Sequence, residues 1–169
     1  MDQPATPLAE IRNRIAAAAR LARRQPDSVT LVAVSKTHGA EAIRPLLEEG
    51  HRVFGENRVQ EAEAKWPSLR ADYPDVELHL VGQLQSNKAE EAVALFDCIH
   101  SLDRESLVVA LGKAMAKTGR KVPCFLQVNI GAEEQKGGCA VAELPALLAT
   151  ARAAGIDVIG LMCVPPAGI

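Results

Sequence analysis

Apolar positions along the chain follow a helical period and a strand period in turn. Leu8, Ile11, Ile15, Ala18, Ala19 and Ala22 recur at helical spacing behind Thr6 as N-cap and Pro7 at the first helical position, and Pro26 stops the pattern. They predict an amphipathic helix ahead of the first strand, placed to plug or flank the sheet. Residues 31–36, Leu-Val-Ala-Val-Ser-Lys, form an apolar run of strand length closed by a lysine before Thr37, His38 and Gly39. Runs apolar on both faces are expected of parallel strands covered by helices on both sides.

The same alternation continues to the end. A helix over 40–49 closes at Gly50, with Pro45 expected to remove one ladder bond and kink it. A strand over 53–57 leads to a helix from about 58 to 69, and Pro74 breaks the connection. The strand at 76–82 precedes a helix that Ser86 is expected to cap and that runs through Glu90, Val93 and Leu95. A strand over 96–102 is followed by a helix at 104–117, capped by Asp103 and ended by Gly119. The strand at 122–130, the charged loop 131–138 around Lys136, a helix at about 142–154 stopped by Gly155, and a strand at 158–164 complete the series. Right-handed crossovers make such a series a parallel sheet. Its period of roughly 30 residues fits a (β/α)8 TIM-type barrel better than an open doubly wound sheet, although both suit the pattern. The expected fold is therefore α/β, one barrel domain over residues 1–169 with an extra N-terminal helix and about six of eight strands.

Composition narrows the function classes. The chain of 169 residues is 48% hydrophobic and 24% charged with a formal charge of -2, as expected of one globular domain and unlike a nucleic-acid binder. Arg12, Arg14, Arg20, Arg23 and Arg24 spread over the outer face of the first helix, which reads as a solvated surface. Without an apolar run of signal or membrane-spanning length, a cytoplasmic location with no membrane contact is expected. Cys98, Cys124, Cys139 and Cys163 lack C-x-x-C pairing, so buried reduced thiols are expected and no metal site or disulfide framework is signalled. GxGxxG, P-loop and HExxH motifs are likewise missing.

Candidate chemistry gathers at the strand ends. Lys36, Asn57, Gly82 with Gln83, Ser101, Asn129 and Met162 stand at the carboxyl ends of successive predicted strands, and parallel strands bring them to one rim. Lys36 has two readings. Its stem can cover apolar surface while the ammonium meets water, or its amine can be partly desolvated by Val34 and its neighbours, leaving a nucleophilic fraction that captures an aldehyde or ketone as a Schiff base. Asn57 either lines a pocket or caps the following helix. His79, alternating with buried residues, reads as a hydrogen-bonded core histidine, Ser86, Asn87 and Lys88 as a helix start, and Lys136 as a solvated loop lysine.

Val34-Ser35-Lys36, Phe54-Gly55-Glu56-Asn57 with Val59-Gln60-Glu61, His79-Leu80-Val81-Gly82 with Leu84-Gln85-Ser86-Asn87-Lys88, and Gly160-Leu161-Met162 resemble, in order and spacing, the YggS/PROSC family of pyridoxal phosphate homeostasis proteins. The match runs from about residue 8 to the end. The resemblance implies a barrel like the N-terminal domain of alanine racemase, with pyridoxal 5'-phosphate held as a Schiff base on Lys36 and Asn57 and Met162 lining the ring pocket. Val34 and His79 complete the expected cofactor-binding set. It further implies intracellular vitamin B6 homeostasis without a well-defined catalytic turnover, delivery to apo enzymes that depend on the cofactor, and a monomer. Transient uptake of cofactor by Lys136, a second amine, is the lesser reading beside the favoured solvated loop lysine. In similar proteins the phosphate cup follows the seventh and eighth strands. This chain ends at Ile169, so two βα units, on the order of 60 residues, are expected to be missing, the cup cannot be assigned, and strands one and six are expected to be open edges. The rival readings are an amino-acid racemase dependent on the same cofactor, a Schiff-base aldolase acting through Lys36, and a fragment that binds nothing.

Overall fold

The computed structural model describes residues 5–168. Six parallel strands hydrogen-bond in the order in which they occur in the chain: β1 (Ala33–Val34), β2 (Val53–Glu56), β3 (Glu77–Leu80), β4 (Cys98–Leu102), β5 (Cys124–Gln127) and β6 (Val158–Met162). A doubly wound sheet reverses its strand order at a switch point, and this one does not. Each crossover steps the same way, as in a barrel wall.

Between the strands run α2 (Ala40–Glu48), α3 (Val59–Asp72), α4 (Ala89–Leu95), α5 (Glu105–Thr118) and α6 (Leu144–Ala153), with α1 (Pro7–Leu21) ahead of β1. The core lies between one sheet face and these helices. Phe54, Leu78, Leu80, Ile99 and Leu126 meet Ile43, Leu47, Trp66, Leu69, Leu107 and Leu111 there, all within 2% of full burial. Full burial of such side chains is worth about 1.5–3 kcal/mol each, and Phe54 and Trp66 add a tilted ring pair at 5.2 Å.

The other face corrects the expectation of strands covered on both sides. A wall wound in one direction carries helices only on its convex side, so Val34 is 47% exposed on the concave side. The first strand is also shorter than 31–36. Only Ala33 and Val34 pair in register with Phe54 and Gly55, and the chain leaves the ladder after Ser35, whose N–H still reaches the Gly55 carbonyl at 2.9 Å. The other ladders are likewise trimmed to residues with a partner on the neighbouring strand.

Two expected caps are not formed. Ser86 opens a single 3-10 turn and accepts no capping hydrogen bond from α4, and α5 begins after Arg104 without a side-chain cap. Asp103 instead accepts from the Arg104 guanidinium and the Gly138 N–H, so it ties loop 131–138 to the end of β4. Gly119 does end α5, at φ +69 with its N–H on the Met115 carbonyl. Both α2 and α3 run through internal prolines, Pro45 and Pro67, because Leu47, Trp66 and Leu69 beside them are buried in the core.

The amino ends of the strands are held by charge. Asp97 accepts from the Leu78 N–H of β3, from Arg70 of α3 and from Arg120 beyond α5. Arg70 also donates to the Leu95 carbonyl and Arg120 to the Val93 and Phe96 carbonyls, which closes the exposed end of α4. The first helix flanks this end: Arg12 donates to His51 Nδ1 at 2.8 Å, and His51 Nε2 meets the Val53 carbonyl at 2.7 Å. Among the described residues no helix is long and apolar enough to cross a membrane.

Candidate functional site

The carboxyl end of β1 turns sharply at Lys36 and Thr37, and Thr37 takes φ +64, a left-handed conformation costly for a β-branched residue. Neighbouring side chains hold it there. The Thr37 N–H donates to Glu61 Oε1, and Lys65 Nζ donates to the carbonyls of Ser35 and His38, both at 2.7 Å, bracketing Lys36 on either side. Lys65 in turn pairs with Glu56 Oε1 at 2.7 Å, and that carboxylate is fully buried. Glu56 Oε1 also accepts from Ser35 Oγ at 2.7 Å and Trp66 Nε1 at 2.8 Å, while its Oε2 has no partner. Chiefly the Thr37 N–H, and then Lys65, hold the Glu61 carboxyl below its ordinary range.

Lys36 itself is exposed, so the structure does not show the desolvated amine that the sequence suggested. What fixes its position is the backbone on both sides of it. Glu56, Glu61 and Lys65 had no assigned role in the sequence reading. The available signals were an acid at the end of an apolar strand and a Glu-Lys pair four apart on the next helix.

The concave face beside this turn is apolar. Gly55 lies between Val34 and His79 in the register of β1, β2 and β3. A Cβ on Gly55 would meet Val32 Cγ1 at 3.0 Å, Val34 Cγ2 at 3.4 Å and Val81 Cγ1 at 3.5 Å, so the glycine leaves a shallow cradle lined by valines. At the rim, a Cβ on Gly82 would fall 2.7 Å from Asn57 Cα, so this close approach of β2 and β3 requires glycine. Asn57 is not spent on capping, since α3 starts after Arg58 with no side-chain cap.

Other strand-end residues have structural employment. Gln83 Nε2 donates to Gln127 Oε1 at 3.1 Å across the rim. Asn129 folds its own loop, donating to the carbonyls of Glu133 and Lys136 and accepting the Glu133 N–H. Lys136 is half-buried, paired with Glu133 at 2.5 Å and donating to the Pro165 carbonyl, which departs from a solvated loop lysine. Ser101 is buried with an unpartnered hydroxyl, and Met162 ends β6 opposite Gln127, half-buried.

Further down the concave face His79, His100 and Phe125 stack in a row, with ring centroids 5.0 and 4.6 Å apart. Burial, reinforced by His79, pushes His100 down to about 4, and burial pushes the neighbouring Cys98 thiol up to about 12.

Comparison with known proteins sets this geometry in context. The family described as alanine racemase, N-terminal domain, matches over residues 7–167. The pyridoxal phosphate homeostasis protein of Escherichia coli K12 is 36% identical over 167 residues, covering 98% of this chain and 71% of that protein. Its namesake from Pseudomonas aeruginosa is 39% identical over 159 residues, with 94% and 68% covered. Among solved structures, PipY of Synechococcus elongatus with pyridoxal phosphate bound superposes at a TM-score of 0.72 with 42% identity, over 92% of this chain and 72% of that one.

Proposed function

We propose, from the premise that the chain belongs to the family of pyridoxal phosphate homeostasis proteins, that it binds pyridoxal 5'-phosphate at the Lys36 turn and serves intracellular handling of that cofactor. The observation that carries the reading is an exposed primary amine on a turn locked by the buried Glu56–Lys65 pair and by Glu61. The residues present fit an aldehyde with a flat ring. Lys36 offers the amine, Val34 and His79 flank the cradle that Gly55 leaves open, and Asn57 and Met162 stand at the rim. The bound cofactor supplies the carbonyl to which an amine attaches with loss of water.

The chain's own part is binding and orientation. Lys65 and Glu61 hold the backbone on both sides of Lys36, so the amine leaves the rim from a fixed point while its head stays in water. Among the described residues Lys36 is open to solvent, and such access suits a site that takes up a cofactor and passes it on to apo enzymes.

The test is an absorption titration of the purified chain with pyridoxal phosphate, followed by borohydride reduction and peptide mapping, with Lys36→Ala alongside. A Schiff-base band that maps to Lys36 and disappears in the variant is expected. A band that persists in Lys36→Ala, or a label that maps elsewhere, overturns the assignment. Racemisation of alanine by the loaded chain would replace the handling role by an enzymatic one.

A further inference from the structure

A second set of reactive groups stands on the concave face, where it shares His79 with the cradle beside the Lys36 turn. Cys98 and His100 alternate along β4 and therefore leave the strand on the same side, and β3 brings His79 beside them. One donor atom from each of His79, Cys98 and His100 lies within 4.8 Å of the other two, with His79 Nδ1 and His100 Nε2 at 2.8 Å. We propose that these three side chains form a binding site for a divalent ion of the zinc type, with His79 Nδ1, His100 Nε2 and Cys98 Sγ as ligands.

The donor set selects the ion. Two imidazoles and a thiolate suit zinc and its neighbours and do not suit magnesium or calcium, which take oxygen. Bonds of about 2.0–2.1 Å to nitrogen and about 2.3 Å to sulfur in a tetrahedron place ligand atoms roughly 3.3–3.7 Å apart, so the two rings part by about half an ångström to admit the ion. Glu77 supplies the outer support: its Oε2 lies 3.3 Å from His79 Nε2. That nitrogen donates to the carboxylate, which leaves the Nδ1 lone pair facing the ion, the carboxylate–histidine–metal arrangement of many zinc sites. Without metal, His100 Nε2–H donates to His79 Nδ1. On binding, His100 carries its proton on Nδ1 instead and Cys98 releases its thiol proton to solvent. One divalent ion thus displaces one proton, and the site gains a single positive charge. The fourth position stays open to water, with the Phe125 ring beside His100 as an apolar wall. Cysteine spacing alone does not reveal such a site, because its ligands come from two adjacent strands and only one of them is cysteine.

The site shares His79 with the cofactor cradle and does not use the Lys36 amine, so it is tested on the cofactor-free chain with cobalt as the probe. The chelator-treated, cofactor-free full chain is titrated with Co(II) and followed by visible absorption. One ion per chain is expected, with the intense d–d bands of a four-coordinate site and a sulfur-to-cobalt charge-transfer band. Cys98→Ser removes the charge-transfer band, and Glu77→Gln weakens binding roughly 10- to 100-fold while keeping it. Cys163→Ser, which changes the exposed thiol elsewhere, leaves the spectrum intact. A weak six-coordinate spectrum, or binding that survives Cys98→Ser and fails in Cys163→Ser, overturns the proposal and leaves the pair as a half-buried histidine–histidine hydrogen bond. Should Cys98→Ser not fold, zinc X-ray absorption on the wild-type chain decides: one sulfur and two imidazole nitrogens are required, and any shell without sulfur overturns it.

Discussion

Lys65 shows how much one side chain can control. Its ammonium bonds two backbone carbonyls around Lys36 and neutralises the fully buried Glu56 carboxylate. Lys65→Met keeps the stem and removes the charge, so Glu56 is left buried and uncompensated. A loss of about 3–5 kcal/mol in denaturant unfolding is expected, with Glu56→Gln in the same background recovering part of it. A loss below about 1 kcal/mol would show that the pair is solvated. His51 is a second sensitive residue. Burial, together with the Arg12 and Arg52 guanidiniums, keeps its pKa below the ordinary 6.5. The unfolded chain therefore takes up a proton that the folded chain refuses, and stability falls as pH drops through about 6.5 towards the lower folded value. His100, also lowered, contributes with the same sign. Melting temperatures from about pH 7.5 to about pH 5.5 should decline, less steeply in His51→Gln, and equal slopes would exclude His51 as a source.

At the scale of elements, order, type and the ends marked by Thr6 and Gly119 were legible in the chain, whereas strand lengths and the caps expected of Ser86 and Asp103 were not. Period and breakers distinguish Leu8 to Ala22 from the run before Lys36 because burial imposes a period of 3.6 on helices and of 2 or none on strands. Ladder length depends instead on the neighbouring strand, which residues 31–36 do not encode. Asp103 and Ser86 have the chemistry of caps, but Asp103 is drawn to Arg104 and Gly138, a competition set by tertiary structure. For the same reason the residues expected at the rim are uneven in use: Lys36 is exposed, Ser101 is buried within β4, and Asn129 and Gln83 are consumed by structural hydrogen bonds. Asp97 joins more elements than its position suggests, since its carboxylate serves β3, α3 and the segment after α5. Asp97→Ala strands two guanidiniums and a strand N–H together. A destabilisation of about 2–4 kcal/mol is expected, read by urea unfolding, with hydrogen exchange accelerated first at Leu78. Exchange unchanged at Leu78 would refute that role.

For the whole molecule, the deciding feature is a sheet with helices on one side and two open margins. Among the described residues β1 pairs only with β2 and β6 only with β5. Leu161 lies in register with buried Leu126 yet is 63% exposed, and Ile159 shares its face at 50%. An apolar margin with unpaired backbone groups invites strand addition. Leu161→Lys is therefore expected to lower concentration-dependent light scattering of the chain without altering its circular dichroism, and unchanged scattering would place any association elsewhere.

Strand order that follows chain order also matters while the protein is being made. Each strand's partner is the strand synthesised just before it, so a nascent chain that has emerged through Gln127 can already hold five strands in their final places. Among the described residues no early strand has to wait on the ribosome for a late one. The sheet can grow vectorially, rung by rung, with one fresh margin at a time for chaperones to guard.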